Sequence, residues 1–323
     1  MSNMTLSNPG IVNLTSDGSW AQNNALFKDV FLGEVLTAFE ETNVARELQM
    51  VRTISNGKSA SFPATWKFQA GYHVPGTPIL GDNQMPHNER VIKIDDLLKS
   101  SVFVSELDEL KKFYDVRSIY SKELGSALAR EFDKKSFRVG VLAARASGVV
   151  TGAPGGSVLK NTSAATDGEV LAGMFFDAAE ALDTKDVPDS DRHGVLKPAQ
   201  YYLLAQTTKV LNKDWGGSGA YSDGKVIKIA DITLVKSNNL PTTNITSAVA
   251  GENNSYIGDF RDTVALILNK WAMGTVQLMG LRFQMTGDEI AVMYQGTLMV
   301  AKMAVGHGVI RPECAVELSK AAA

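Results

Sequence analysis

Between about Ile119 and Ala146 the residues Tyr120, Leu124, Leu128, Phe132, Lys135, Val139, Leu142 and Ala146 recur at three- and four-residue steps. This spacing predicts one long helix. At about 1.5 Å per residue it would be roughly 40 Å long, a long rod for an ordinary domain. Asp115 or Ser118 is placed to cap its start. Lys122, Arg130, Lys134 and Arg138 occupy the remaining faces, so the pattern predicts a single apolar stripe and a solvated remainder. Such a helix acts as a structural spine on which other elements pack.

A second helix is predicted over Ala25–Thr42, where Leu26, Phe27, Val30, Phe31, Val35, Leu36 and Phe39 follow the same period. Residues 1–24 are rich in Asn, Ser, Thr and Gly and read as an arm. Met50–Ile54 and Ser59–Phe68 alternate around Ser55-Asn56-Gly57, which predicts a hairpin between those two runs. From Gly71 to Pro86 the prolines and glycines are too frequent for regular structure, yet Trp66, Phe68, Tyr72, Val74, Ile79 and Leu80 are interleaved with them. A thin loop has little chain of its own to bury such side chains on. Either a neighbouring subunit covers them or the loop folds back on its own domain, and the residues leave both open. Val91–Ile94 alternates again as a strand.

Gly148 to Ala165 is a Gly/Ser/Thr-rich break and the best domain boundary in the chain. Thr166 and Glu169 have capping-box spacing ahead of Val170, Leu171, Met174, Phe175, Ala178 and Leu182. His193–Leu196 reads as a buried strand, and Pro198 suits the first position of a helix from Ala199 to Leu211. Strands are predicted within Lys225–Lys236, over Val264–Leu268, and over Val276–Met285 with a phase slip near Gly280. Ile290 to Val305 fits helix and strand equally. No internal repeat is present. The second half is thus an α/β or α+β domain.

The 323 residues carry 32 Lys+Arg against 35 Asp+Glu, a net charge of −3, which argues against a strongly basic nucleic-acid binder. The basic residues are evenly spread, so any DNA contact should be weak, sequence-independent and salt-sensitive. Cys314 is the sole cysteine, which excludes an internal disulfide and a cysteine-rich zinc site and fits a reducing cytosol. No signal peptide pattern opens the chain, and Val264 to Met285 is interrupted by Lys270 and Arg282, so no membrane span is expected. His73, His87, His193 and His307 lack metal-ligand spacing and read as surface or satisfied polar groups. Gly152–Gly156 and Trp215–Gly219 lack any phosphate-loop pattern and read as flexible loops. Asp95-Asp96 and Asp288-Glu289 read as element ends, and Lys111-Lys112 and Lys134-Lys135 as solvated faces. No active site and no cofactor site is visible.

Several segments together resemble one family. Ala25-Leu-Phe27, Val30-Phe31 and Gly33–Phe39 are similar to the first helix of the major capsid proteins of short-tailed (podovirus) bacteriophages of the coliphage T-seven group. Met50-Val-Arg52, Ile54, Gly57–Ala60 and Phe62-Pro63 resemble the next block, followed by Val91-Ile92, Ile94-Asp95, Leu97-Leu98, Tyr114–Ser118 and Tyr120. Gly274-Thr-Val276, Gly306-His-Gly308 and Arg311-Pro-Glu313 complete the order. The middle resembles the family through the Pro198 helix and the Ile232–Pro241 strand and turn.

The resemblance implies an α+β fold of the Hong Kong 97 capsid type. Residues 1–49 would be the N-terminal arm and first helix, 50–90 the extended loop, and 91–149 the peripheral domain with its spine helix. Residues 150–265 would form the axial domain, 266–305 the return to the peripheral domain, and 306–323 the C-terminal part of the axial domain. The implied function is structural, not enzymatic: self-assembly into pentamers and hexamers of an icosahedral head that encloses double-stranded DNA in the virion, built in the host cytoplasm. Implied partners are further copies of the chain, a separate scaffolding protein, a portal protein, weakly held packaged DNA and, compatibly, a decoration protein. Arg52, Lys58, Phe62, Trp66, Phe68, Tyr72, Val74, Arg117 and Arg130 are the expected inter-subunit contacts. Lys58 and Lys67 lie where some relatives form covalent cross-links, but nothing marks them as activated, and no cross-link is expected. An encapsulin-like nanocompartment is the alternative within the same fold. An enzyme with an unrecognised site around Gly216–Tyr221 is the alternative outside it.

Overall fold

The computed structural model describes residues 35, 37–39, 43–68, 70–73, 75–76, 78, 85–105, 116–207, 228–286 and 294–322. The chain divides into two compact units, one comprising Met1–Asn43, Leu97–Glu131 and Met279–Met303, the other Val44–Asp96, Phe132–Leu278 and Ala304–Ala323.

The larger unit is organised by a six-stranded sheet. Its order is β5 (Ser157–Lys160), β14 (Ala315–Ser319), β11 (Thr263–Asn269), β6 (Arg192–Leu196), β8 (Ile232–Lys236) and β7 (Lys228–Ile229). The β5–β14 and β6–β8 pairs are parallel and the others antiparallel. All seven residues of β11 are buried, which explains the unbroken apolar run Val264–Leu268. A central strand covered on both faces has no reason to alternate.

The two covers can be read from register. Leu266 and Leu268 lie on one face of β11, and Gly140 of helix α1 (Val116–Arg145) packs so closely there that a Cβ would stand 2.7 Å from Leu266. Ile267 points to the other face and is paired with Gly194, where a Cβ would meet the ring of Phe175 at 2.9 Å. Phe175 belongs to α2 (Gly168–Asp183), so the two helices sandwich the sheet. A third helix, α3 (Pro198–Ala205), begins at Pro198 as expected and packs on α2.

Three local expectations change. Asp167, not Thr166, caps α2, accepting hydrogen bonds from the amides of Glu169 and Val170. A carboxylate one residue nearer the helix reaches the free amides more directly than the Thr166 hydroxyl. The 30-residue α1 carries more than one stripe, because Phe137, Val139, Val141, Ala143 and Ala144 are all buried. Small residues let neighbours close around that half from several sides. Third, β1 (Met50–Thr53) does not pair with β2 (Ser59–Thr65). β1 instead runs parallel to the start of β12 (Met273–Met285), with Met50 opposite Gly274. β2 pairs antiparallel with β3 (His87–Lys93), from Ser59↔Lys93 to Thr65↔His87. Alternation identifies a strand but not its partner.

Between β7 and β8, Ala230 and Asp231 both have positive φ, 49° and 60°, the backbone of a tight hairpin turn. In the smaller unit, the start of β13 (Gly296–Val309) pairs antiparallel with β4 (Leu98–Ser105), Gly296 opposite Ser105. The ambiguous Ile290–Val305 stretch is therefore strand from Gly296 onward, and residues 290–293 lie outside the described residues. Most of the predicted Ala25–Thr42 helix does too, although 35 and 37–39 are helical.

Candidate functional site

The β2–β3 hairpin has a buried base and an exposed far end. Ala60, Phe62 and Ile92 pack with Val276 and Ile310, flanked by Met50, Ile54 and Ile94. Arg52 stacks its guanidinium 5.6 Å from the Phe62 ring centre and donates to the Ser61 carbonyl at 3.1 Å, fixing the chain as it leaves β1. On the other strand, the Asn88 side-chain amide donates to the Val149 carbonyl at 2.6 Å. Beside this base lies a cleft of about 630 Å³, walled by Phe62, Trp66, Val149, Val150, Trp271 and Ile310 and edged by Arg52, Arg311 and Glu313.

Beyond the base the burial fails. Trp66 is half-buried with the Lys67 ammonium 5.5 Å from its ring. Lys67 pairs with Asp186, but both are exposed and such a pair contributes little. Phe68 is 58% exposed, Tyr72 entirely so, and Lys58 is exposed at the start of β2. Val74 lies outside the described residues. Arg117 stands in the first turn of α1. Arg130, in the smaller unit, bonds Glu123 at 2.5 Å in a half-exposed pair. Arg52, Phe62 and Trp66 thus share one cleft, and Phe68 and Tyr72 follow on the same hairpin.

The base is tied to α1 and the strands by buried polar contacts that the sequence reading missed. The Nδ1 atom of His307, on β13, lies 2.7 Å from the Thr275 hydroxyl and 3.2 Å from the Ser136 hydroxyl. Gln49 donates to that same Ser136 hydroxyl at 3.2 Å. Tyr256 donates its hydroxyl proton to Asp95 at 2.5 Å and accepts from the His307 amide at 3.1 Å. Asp95 also accepts from the amides of Asn253 and Asn254.

Burial, reinforced by the Lys135 charge, pushes the His307 imidazole down to about 3, so it is neutral. Burial beside the Asp95 charge raises the Tyr256 phenol. Lys135 is no solvated residue: its side chain is 15% exposed, 3.6 Å from Glu252 and 5.4 Å from the Tyr256 ring centre. Nor is His307 a satisfied histidine, since its Nε2 is buried with no hydrogen-bond partner. The sequence marker was Gly306-His-Gly308. A Cβ on Gly306 would lie 1.8 Å from the Lys93 carbonyl and one on Gly308 2.6 Å from Ile92, so only glycine lets the strand pass that close.

At the far end of α1, Arg145 forks onto Glu317 of β14, with Nε and Nη2 each 2.6 Å from a carboxylate oxygen. The Thr263 hydroxyl donates to Glu317 at 2.6 Å, and Arg145 also donates to the Asp259 carbonyl.

These arrangements hold structure; they do not poise a reactive atom. Burial pushes the Cys314 thiol up to about 11, which suppresses the thiolate needed for nucleophilic work. Among the described residues, no group of three or more His, Cys, Asp and Glu could hold a metal ion, and no helix is long and apolar enough to cross a membrane. Gly152–Gly156 is a loop, whereas Asp288-Glu289, Lys111-Lys112 and Trp215–Gly219 lie outside the described residues.

Comparison with known proteins gives a concordant result. Residues 61–319 match the family model described as Gp10A-like major capsid protein. The chain is 30% identical over 322 residues to the major capsid protein of Escherichia phage T7, covering 90% of each. It is 29% identical to that of Enterobacteria phage T3, covering 92% of each. The capsid structure of the cyanophage P-SCSP1u contains a chain of 45% identity and TM-score 0.80, covering 98% of this chain and 99% of that one. A virus-like particle from Pyrococcus furiosus shares the fold alone, at 14% identity and TM-score 0.57 over 91% of this chain and 99% of that one. With its mixed helices and sheets, its exposed hairpin and its match across most of its length, the chain belongs to the Gp10A-like family of phage major capsid proteins.

Proposed function

We propose that this phage capsid subunit assembles through its β2–β3 hairpin, which lies on the long helix of an adjacent subunit in pentamers and hexamers of an icosahedral shell. The observation that carries this reading is the hairpin itself: its base is packed, while among the described residues Phe68 and Tyr72 at its far end stand exposed. Repeated modest contacts of this kind, summed by closure, make a shell stable without any one strong interface. Trp66, Phe68, Tyr72 and Val74 supply apolar contact and Lys58, Arg117 and Arg130 polar contact, with Arg52 and Phe62 setting the hairpin's direction.

In Hong Kong 97 terms, 1–49 is the arm and first helix, 50–90 the extended loop, and 91–149 the peripheral domain with α1 as its spine. Residues 150–265 and 306–323 form the axial domain, joined through the return segment 266–305. The shell encloses double-stranded DNA and is built in the host cytoplasm with a separate scaffolding protein and a portal. The subunit acts structurally and not as an enzyme. Deletion of residues 71–85 tests this. The shortened subunit keeps its thermal stability but forms no shells under electron microscopy with scaffold present. Intact shells from the deletion variant would overturn the hairpin contact, and only monomers or dimers from the parent chain would overturn the shell reading.

A further inference from the structure

Lys197 is about 60 residues from Lys134 and Arg138 in sequence, yet the three line one cavity of about 300 Å³ in the larger unit. The rest of its wall is Asn238, Asn239, Leu240, Pro241, Thr242 and Thr243, and it contains no carboxylate. Lys134 and Arg138 stand one helical turn apart on α1, an arrangement in which like charges repel. The Arg138 Nε is buried and has no hydrogen-bond partner. Lys197, at the start of α3, donates to the Thr242 hydroxyl at 2.9 Å. Burial alone holds its ammonium below the ordinary lysine range, with no acidic neighbour to offset it.

The loop that closes the cavity is held in place. The Ser237 amide donates to the Leu196 carbonyl at 2.8 Å, the Asn239 amide to the Ser237 hydroxyl at 3.2 Å, and the Asn239 side chain to Asp133 at 3.1 Å. Asp133, the carboxylate in contact with this loop, is itself buried and bound by the amides of Val44 and Ala45. It is therefore committed elsewhere.

We propose that this cavity is a phosphate-binding site. Arg138 with its unpartnered Nε, Lys197, and the loop residues Asn238 and Thr243 line it from different elements, with Lys134 adding positive charge beside Arg138. That suits a tetrahedral oxyanion, which offers oxygens in several directions, better than a planar carboxylate, which one arginine can satisfy. The phosphate belongs either to a nucleic-acid backbone or to the free anion. The backbone source rests on the reading that the shell encloses DNA; the site does not.

The test titrates the full-length protein with inorganic phosphate by calorimetry, and separately with a short random-sequence duplex over a range of salt. R138Q/K197Q loses phosphate binding and, for a backbone ligand, lowers the salt slope of duplex binding by about 0.9, since the cavity holds one phosphate and each phosphate contact contributes about 0.9. Arg138→Lys keeps the charge and the fold, retains the slope and weakens phosphate binding, which separates the site from general damage. Loss of phosphate binding with an unchanged duplex slope supports the site and assigns it to the free anion. A lowered duplex slope in a protein that binds no free phosphate supports the site and assigns it to the backbone. If the double variant binds both probes as the parent does, the site does not exist. Shell assembly by the same variants is scored independently, so failure to assemble is not confused with failure to bind.

Discussion

The Arg145–Glu317 pair makes a quantitative claim about how α1 is fastened to the six-stranded sheet. The Glu317 side chain is fully buried and that of Arg145 is 31% exposed, with two bonds of 2.6 Å between them and a third of 2.6 Å from Thr263. Arg145→Met strands a carboxylate in a dry strand with only the Thr263 hydroxyl. Removing one partner of a buried pair costs roughly 3–5 kcal/mol, and the retained hydroxyl places this case at about 3. Glu317→Leu strands the cation instead. Arg145 is exposed enough to recover water and keeps the Asp259 carbonyl and the Phe260 face, 5.6 Å from its guanidinium carbon. Solvent screening brings that cost to about 2 kcal/mol. The double variant removes both charges together and costs about 2 kcal/mol, mostly lost packing, so the coupling energy is about 3 kcal/mol. Urea unfolding of the dilute, unassembled subunit, followed by far-ultraviolet dichroism, measures all four corners of the cycle. Additive single effects, with coupling below about 0.5 kcal/mol, would refute the view that this pair is desolvated and fastens helix to sheet.

Further measurements address other parts of the molecule. His307 is depressed to about 3 from an ordinary 6.5, so the unfolded chain takes up the proton first as pH falls. Its stabilisation is complete above about pH 6.5 and declines toward pH 3, amounting to a loss of about 2–3 kcal/mol near pH 4.5; His307→Gln removes that part of the slope in urea midpoints measured across this range. Gly306→Ala drives a methyl group into the Lys93 carbonyl, which a Cβ would meet at 1.8 Å. It should cost about 3 kcal/mol or more, read as a lowered melting temperature or loss of soluble protein, and a variant as stable as the parent would contradict the close approach. Cys314, buried and raised to about 11, should resist iodoacetamide in the folded protein and react in denaturant; equal rates in both conditions would show the thiol to be accessible.

Much of this chain is legible without coordinates wherever local chemistry decides the outcome. The α1 period, the Pro198 helix start, the buried run of β11 and the paired strands before Lys236 all follow from side-chain spacing and backbone stereochemistry, which act over a few residues. The family resemblance is equally local, carried by short blocks in order. The partner of each strand lay beyond that reach. Met50–Ile54 and Ser59–Phe68 look like one hairpin, yet β1 joins β12 and β2 joins β3, because pairing is chosen by burial across distant segments such as Val276 and Ile310.

Sequence by itself therefore determined most of the elements, the mixed helix-and-strand class of the fold and the presence of an apolar-rich loop, while leaving open what covers that loop. Only the tertiary structure decided which polar residues matter. Lys135 and His307 look ordinary in the sequence, but in the structure Lys135 is drawn inward beside Glu252 and His307 is buried against Thr275 and Ser136. Lys134, Arg138 and Lys197 belong to an even scatter of charge until folding brings them to one cavity. The physical reason is that desolvation and charge proximity depend on distances through space, and these depend on contacts between residues a hundred positions apart.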